Sequence, residues 1–303
     1  MRKEKNYLKY INLSILFLSF LFFNGCVQES TDLNTTENNI DTSVPLAQEQ
    51  DLGPEALAWD GKNFWTTHEP GWEMEDEVKP GHPDFQAYLF KHAKDSKKTA
   101  VEMYAFPHNY NVIGMVWIND ELWTSTWIHE QLGRIYKYRI ENNSLAEIEQ
   151  YDTQLSCDGL TWDGNYLWCN MGSWAGIWKF DISDGLKEIH VYSIPPEIEF
   201  LKGDGAHPKG IAWDGNNIWT AYKFTKPVIV KHNMDEELSL AEEYDYQDEL
   251  LNHYPGGIDF ANGVLYSTSS DPGTLDLRGG RIVEHNMDEN LSINEIYFYN
   301  DWK

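Results

Sequence analysis

The chain has 303 residues, of which 41% are hydrophobic and 14% aromatic, with 13 Trp and 17 Tyr. That content excludes wholesale disorder and supplies one or two packed domains. Its 23 basic residues stand against 49 acidic ones, a net charge of −26 that argues against nucleic acid as a partner, because phosphate contacts need basic patches. Three cysteines are too few for a disulfide scaffold.

The first 10 residues carry Arg2, Lys3, Lys5 and Lys9 against Glu4 alone, and residues 11–23 are an apolar run of 13 that ends before Gly25-Cys26. A basic start, a short apolar run and a small residue before the cut describe an export signal. The run is too short for a spanning helix, which needs about 20 residues. Gly25-Cys26 resembles the lipobox of prokaryotic lipoproteins, which implies acylation of Cys26, removal of residues 1–25 and a place in the cell envelope. That removal takes away four basic residues and one acidic one, leaving 19 against 48 and a net charge of −29. Such a charge disfavours docking on anionic lipid, so membrane contact is expected through the acyl anchor only. Residues 26–50 are polar, without periodic apolar content, and read as a lipid-anchored flexible linker.

Residues 51–303 repeat themselves. GPEALAWDGKNFW, VIGMVWINDELW, CDGLTWDGNYLW, PKGIAWDGNNIW and PGGIDFANGVLY align, with aromatics always six apart: Trp59/Trp65, Trp117/Trp123, Trp162/Trp168, Trp213/Trp219 and Phe260/Tyr266. A second motif follows each first one: YLFKHA, RIYKYR, GIWKFD, VIVKHN and RIVEHN, with Lys91, Lys137, Lys179, Lys231 and then Glu284 at its fourth position. Asp-Gly, Asn-Asp and Asn-Gly join the first two strands of each repeat, as hairpin turns require. A Tyr-rich run such as AVEMYAF supplies a fourth strand. Five repeats of about 50 residues with four strands each predict an all-β, five-bladed β-propeller. The repeated Trp residues are expected to pack blades together, and the third-strand lysines to be solvated or snorkelling. The expected state is a monomer.

In such a ring the first strand is innermost, and one position per blade, before the Gly-Leu or Gly-Ile step, points at the channel mouth. Read in order it is Glu55, Ile113, Asp158, Lys209 and Gly256. Three charges around one narrow channel are costly unless they pair with each other or with a ligand. The same end collects Asn170, the histidines His68, His108, His207 and His253, and an aromatic rim of Trp72, Trp127, Trp174 and Tyr222. A long acidic loop at 70–86 could act as a lid. Cys157 and Cys169 flank the third repeat's hairpin; they form either a bridge in a shifted register or two small buried hydrophobes.

Two family resemblances rest on these phrases. Glu55-Ala-Leu-Ala-Trp59-Asp60 resembles the first-blade phrase of gluconolactonase-like propellers, a group that includes senescence-marker-protein and strictosidine-synthase-like members. That resemblance implies calcium held by Glu55 and Asp158, with Lys209 where the family keeps an acidic ligand. The blade count and hairpin style resemble the five-bladed glutamine cyclotransferases, which combine carboxylate, amide, Lys and Trp groups at the mouth. It implies a site of Glu55, Asp158, Asn170, Lys209, Trp127 and Trp174, with Ile113 in place of the family's second-blade Glu. The expected function is capture of a small polar ligand, a sugar or a peptide end, at the mouth. The alternatives are a cyclotransferase-like or lactonase-like enzyme, and a scaffold whose acidic rim docks another protein.

Overall fold

The computed structural model describes residues 51–52, 54–70, 85–93, 98–128, 132–153, 156–171, 176–193, 207–223, 227–246, 254–270 and 280–299. Cys26, the signal and the linker lie outside them. The described residues form a five-bladed β-propeller with four antiparallel strands per blade. Blade 1 runs β2 (Leu57–Trp59), β3 (Phe64–Pro70), β4 (Tyr88–His92) and β5 (Ala100–Ala105), with the short β1 (Asp51–Leu52) added along β3. Blade 2 is β6 (Asn111–Ile118), β7 (Glu121–Ile128), β8 (Leu132–Glu141) and β9 (Ser144–Thr153). Blade 3 is β10 (Gly159–Trp162), β11 (Leu167–Met171), β12 (Gly176–Asp181) and β13 (Lys187–Ser193). Blade 4 is β14 (His207–Trp213), β15 (Ile218–Lys223), β16 (Val228–His232) and β17 (Leu240–Asp245). Blade 5 is β18 (Tyr254–Ala261), β19 (Val264–Ser270), β20 (Gly280–His285) and β21 (Ile293–Tyr299).

The first turn of each blade explains the Asp-Gly phrase. Gly61, Gly164 and Gly215 adopt positive φ, which glycine alone takes without strain. Asp60 Oδ1 accepts the Lys62 and Asn63 amides, and its Oδ2 accepts Trp65 Nε1 at 2.8 Å. Asp163 and Asp214 hold Trp168 and Trp219 in the same way, at 2.7 Å each. One carboxylate thus closes a turn and orients the indole that follows it.

The aromatics then obey one cyclic rule. The second aromatic of each blade is buried and packs with the first aromatic of the next blade: Trp65 with Trp117, Trp123 with Trp162, Trp168 with Trp213, Trp219 with Phe260, and Tyr266 with Trp59. These contacts are what stitch the ring together.

Of the two expectations for the third-strand lysines, the structure agrees with snorkelling: they lie over the indoles with their heads partly exposed, Lys91 over Trp65 at 5.5 Å, Lys137 over Trp123 at 5.4 Å, Lys179 over Trp168 at 4.8 Å and Lys231 over Trp219 at 5.4 Å. Blade 5 exchanges both partners. Its Glu284 accepts the Tyr266 hydroxyl at 2.8 Å.

The next residue of that motif is a buried histidine in three blades. His92, His232 and His285 each direct Nδ1 at a carbonyl, of Lys98, Leu238 and Leu291, and Nε2 at Thr66, Thr220 and Ser267. A carbonyl can only accept, so Nδ1 carries the proton and the hydroxyl donates to Nε2. Burial pushes these imidazoles down to about 3, 4 and 4 respectively.

Around the axis the innermost strands approach backbone to backbone. A Cβ on Gly114 would meet Gly159 Cα at 2.8 Å, and one on Gly159 would meet Ile211 N at 2.9 Å. One on Gly210 would meet Ile258 N at 2.6 Å, and one on Gly257 would strike Leu57 N. The glycine at this step in four blades, with the small Ala56 in blade 1, is therefore what lets only five strands close a ring. The half-open void these strands line, about 10 Å³, has room for about one water.

Candidate functional site

All five mouth residues are the extra residue of a β-bulge on the innermost strand. Glu55 and Ala56 both bond to Thr67, and Asp158 and Gly159 both face Asn170. The register slips past Ile113 between Val112 and Gly114, past Lys209 between Pro208 and Gly210, and within Pro255–Ile258 at Gly256. A bulge turns its extra side chain out of the alternating pattern of the strand. Repeated five times, it presents one residue per blade at the mouth of a channel too narrow to hold a ligand.

The three charges come together there. Lys209 Nζ lies 3.6 Å from Glu55 Oε2, with both side chains about one-fifth exposed. This pair joins blade 4 to blade 1 across blade 5, whose own bulge residue is Gly256 and has no side chain. Asp158 is pushed up to about 6, chiefly by burial; the Lys209 ammonium pulls it down and the Glu55 carboxylate pushes it further up. The result is a carboxylate that changes protonation near neutral pH, beside an ammonium and a second carboxylate.

Asn170 sits behind this group and not on the surface. It is fully buried, its backbone oxygen accepts the Asp158 amide at 2.8 Å, and its Nδ2 donates to Gly210 O at 3.0 Å. It belongs to a belt of small polar residues that bond to the next blade. Thr67 Oγ1 donates to Val112 O at 3.0 Å, and Ser125 Oγ donates to Cys157 O at 2.6 Å. Ala221 holds this position in blade 4 and Thr268 in blade 5, where Thr268 bonds to Gly257 of its own blade. Sequence reasoning missed the belt; its signal was a small polar residue two positions after the second repeat aromatic in four of the five blades: Thr67, Ser125, Asn170 and Thr268.

The other candidates scatter. His68 is 4% exposed and packs edge-on against Phe90 at 4.7 Å. Tyr222 is 1% exposed, inside the blade and not on a rim, and its burial pushes the phenol up to about 12. His108 lies over an outer strand, stacked on Tyr136 at 4.5 Å and bonded to Glu147 of β9 at 2.5 Å. Trp127 lies next to the end of β7, opposite Asn111, partly exposed. His207 begins β14 on the register of Lys223, and only its backbone is described. His253, Trp72, Trp174 and the acidic loop at 71–84 lie outside the described residues.

The cysteines are bonded. Cys157 and Cys169 form a disulfide with a Cα–Cα separation of 5.5 Å, and both are buried. The bulge at Asp158 lies between Cys157 and the regular ladder and supplies the shift in register that the bond requires.

The residues present do not fit the calcium that the lactonase resemblance implies. Calcium takes about 6–8 oxygen ligands, whereas here an ammonium stands against Glu55 and supplies the positive charge.

No family model matches the chain, and no curated protein matches it. Among solved structures, the glutaminyl cyclase of Myxococcus xanthus is similar, with a TM-score of 0.51 and 12% identity over 73% of this chain and 90% of that one. A membrane-assembled outer coat vertex of COPII has a TM-score of 0.44 and 8% identity, over 83% of this chain and 68% of that one. The likeness to the cyclase is one of fold: this chain is a five-bladed propeller of the glutaminyl cyclase shape.

Proposed function

We propose that this propeller is an exported, lipid-anchored receptor that binds a small polar ligand at its channel mouth, with the amino end of a peptide as the ligand chemistry favoured. The observation that carries this reading is the convergence of Glu55, Asp158 and Lys209 above a void of water size. Two carboxylates beside one ammonium leave an excess of acceptors, which suits a ligand amine; the ammonium suits a carbonyl or carboxylate on the same ligand. Export is supported by the Cys157–Cys169 bond, since disulfides persist in oxidising compartments, and acylation at Cys26 rests on the Gly25-Cys26 phrase.

A second reading is an enzyme acting on the same peptide end. It is favoured by Asp158, because a carboxylate held near 6 can pass a proton at working pH. The fold of the Myxococcus xanthus cyclase agrees with it. One screen separates the two. Thermal shift is measured with short peptides carrying free or acetylated amino ends, on wild type and on Glu55→Gln, since a ligand stabilises in proportion to its binding. A receptor gains stability from free ends only, loses that gain in Glu55→Gln, and leaves the peptides unchanged. The enzyme reading requires loss of ammonia from peptides that begin with glutamine. Equal shifts for free and acetylated ends overturn the proposed ligand class.

A further inference from the structure

The five seams of the ring are not alike. Among the described residues each blade is built from strands consecutive in the chain, and no strand is shared between the first blade and the last. The described residues of the seam from blade 5 to blade 1 meet through contacts alone, and two of those contacts involve charged side chains, Asp259 and Lys98, that the other blades do not place there. Asp259 stands where blades 1 and 4 have Ala58 and Ala212, opposite Tyr266 in the same register that pairs Ala58 with Trp65. Its Oδ2 accepts the Trp59 amide of blade 1 at 2.6 Å, and its Oδ1 accepts the amide of Phe260 at 2.8 Å.

Lys98 is the second departure. It occupies the left-handed position, φ 51°, that Leu238 and Leu291 fill in blades 4 and 5 at 49° each. It is 9% exposed, yet its ammonium lies 4.6 Å from the Tyr297 ring, 5.9 Å from Tyr266 and 5.4 Å from Phe64. Four blades cover their second aromatic with a lysine of their own. Blade 5 has Glu284 there, and blade 1 lends Lys98 across the seam to cover Tyr266.

We infer that the blade 5–blade 1 seam is where this ring opens, and that Asp259 and Lys98 form the latch that sets how readily it does so. The charged and titratable groups around this latch are Tyr266, opposite Asp259, with Glu284, Tyr297 and Glu295 beside it in blade 5, and Lys98 with His92 in blade 1. Burial pushes Asp259 up to about 7, against which its two backbone donors pull down. In an open seam the carboxylate returns to water and its ordinary range near 3.8. The closed seam therefore binds the proton more tightly. Raising pH between about 4 and 7 favours opening, and above about 7 no further change is driven by this group. The neutral histidines act in the opposite sense over the same window, because acidification works against their burial.

Hydrogen exchange of the whole protein, corrected for intrinsic rates and resolved by mass spectrometry, reads this directly. Between pH 5 and pH 7, protection of segments 57–60 and 257–266 is expected to fall about tenfold or more relative to the seam between blades 3 and 4. Asp259→Asn should flatten that profile. Lys98→Leu, which restores the residue of blades 4 and 5, should lower protection at every pH. Equal protection of all seams at both pH values overturns the inference, as does an Asp259→Asn protein that keeps the wild-type profile.

Discussion

Trp168→Ala should destabilise the propeller by about 3–5 kcal/mol, the range for emptying a buried aromatic site. The side chain is 0% exposed and touches every layer of its blade. Its ring stacks on Tyr192 at 5.6 Å and lies under Lys179 at 4.8 Å, while its indole nitrogen donates to Asp163. It also packs with Trp213 of the next blade, so the substitution loosens a seam as well as a core. Chemical denaturation compares this variant with Ile189→Ala, whose side chain is 44% exposed and should change stability by less than about 0.5 kcal/mol. A loss below about 1 kcal/mol at Trp168 would show that the indoles are not what holds blades together.

Gly210→Val should be as damaging through the opposite fault, since overpacking typically costs about 1–3 kcal/mol and more where nothing can move. Here the new Cβ would stand 2.6 Å from Ile258 N and 2.7 Å from Gly256 O. Both are backbone atoms of blade 5, so relief requires two innermost strands to part. The expected result is a drop of about 3 kcal/mol or more in denaturation, or failure to fold. A valine protein of near wild-type stability would mean that the channel is wider than the structure makes it.

The repeat made the architecture legible. Aromatics six apart, a turn dipeptide between them and a lysine motif after them specify strand order, blade number and the cyclic packing rule, because each blade must bury the same positions. The mouth residues were also findable, since Glu55, Asp158 and Lys209 share one place before the glycine step. What the pattern hid was the reason for that place. A bulge leaves no periodic trace, so neither the reorientation of these side chains nor the Cys157–Cys169 bond could be read from spacing. Composition misled in a different way. A histidine or tyrosine near a strand end looks exposed in sequence, yet His68 and Tyr222 end second strands that are covered on both faces, where residues 64–68 and 218–222 are all buried. Asp259 and Lys98 stayed invisible because each occupies a slot that carries no charge in the blades with a matching position: Ala58, Val116, Thr161 and Ala212 for Asp259, and Leu238 and Leu291 for Lys98.

The most direct test of the mouth as one coupled site is a carboxyl NMR titration of Asp158 in wild type and in Lys209→Met. Wild type should titrate at about 6, and removal of the ammonium should move the midpoint upward, because burial and the Glu55 charge then act unopposed. A wild-type midpoint near the ordinary 3.8, unmoved in Lys209→Met, would show that the three side chains do not share a site.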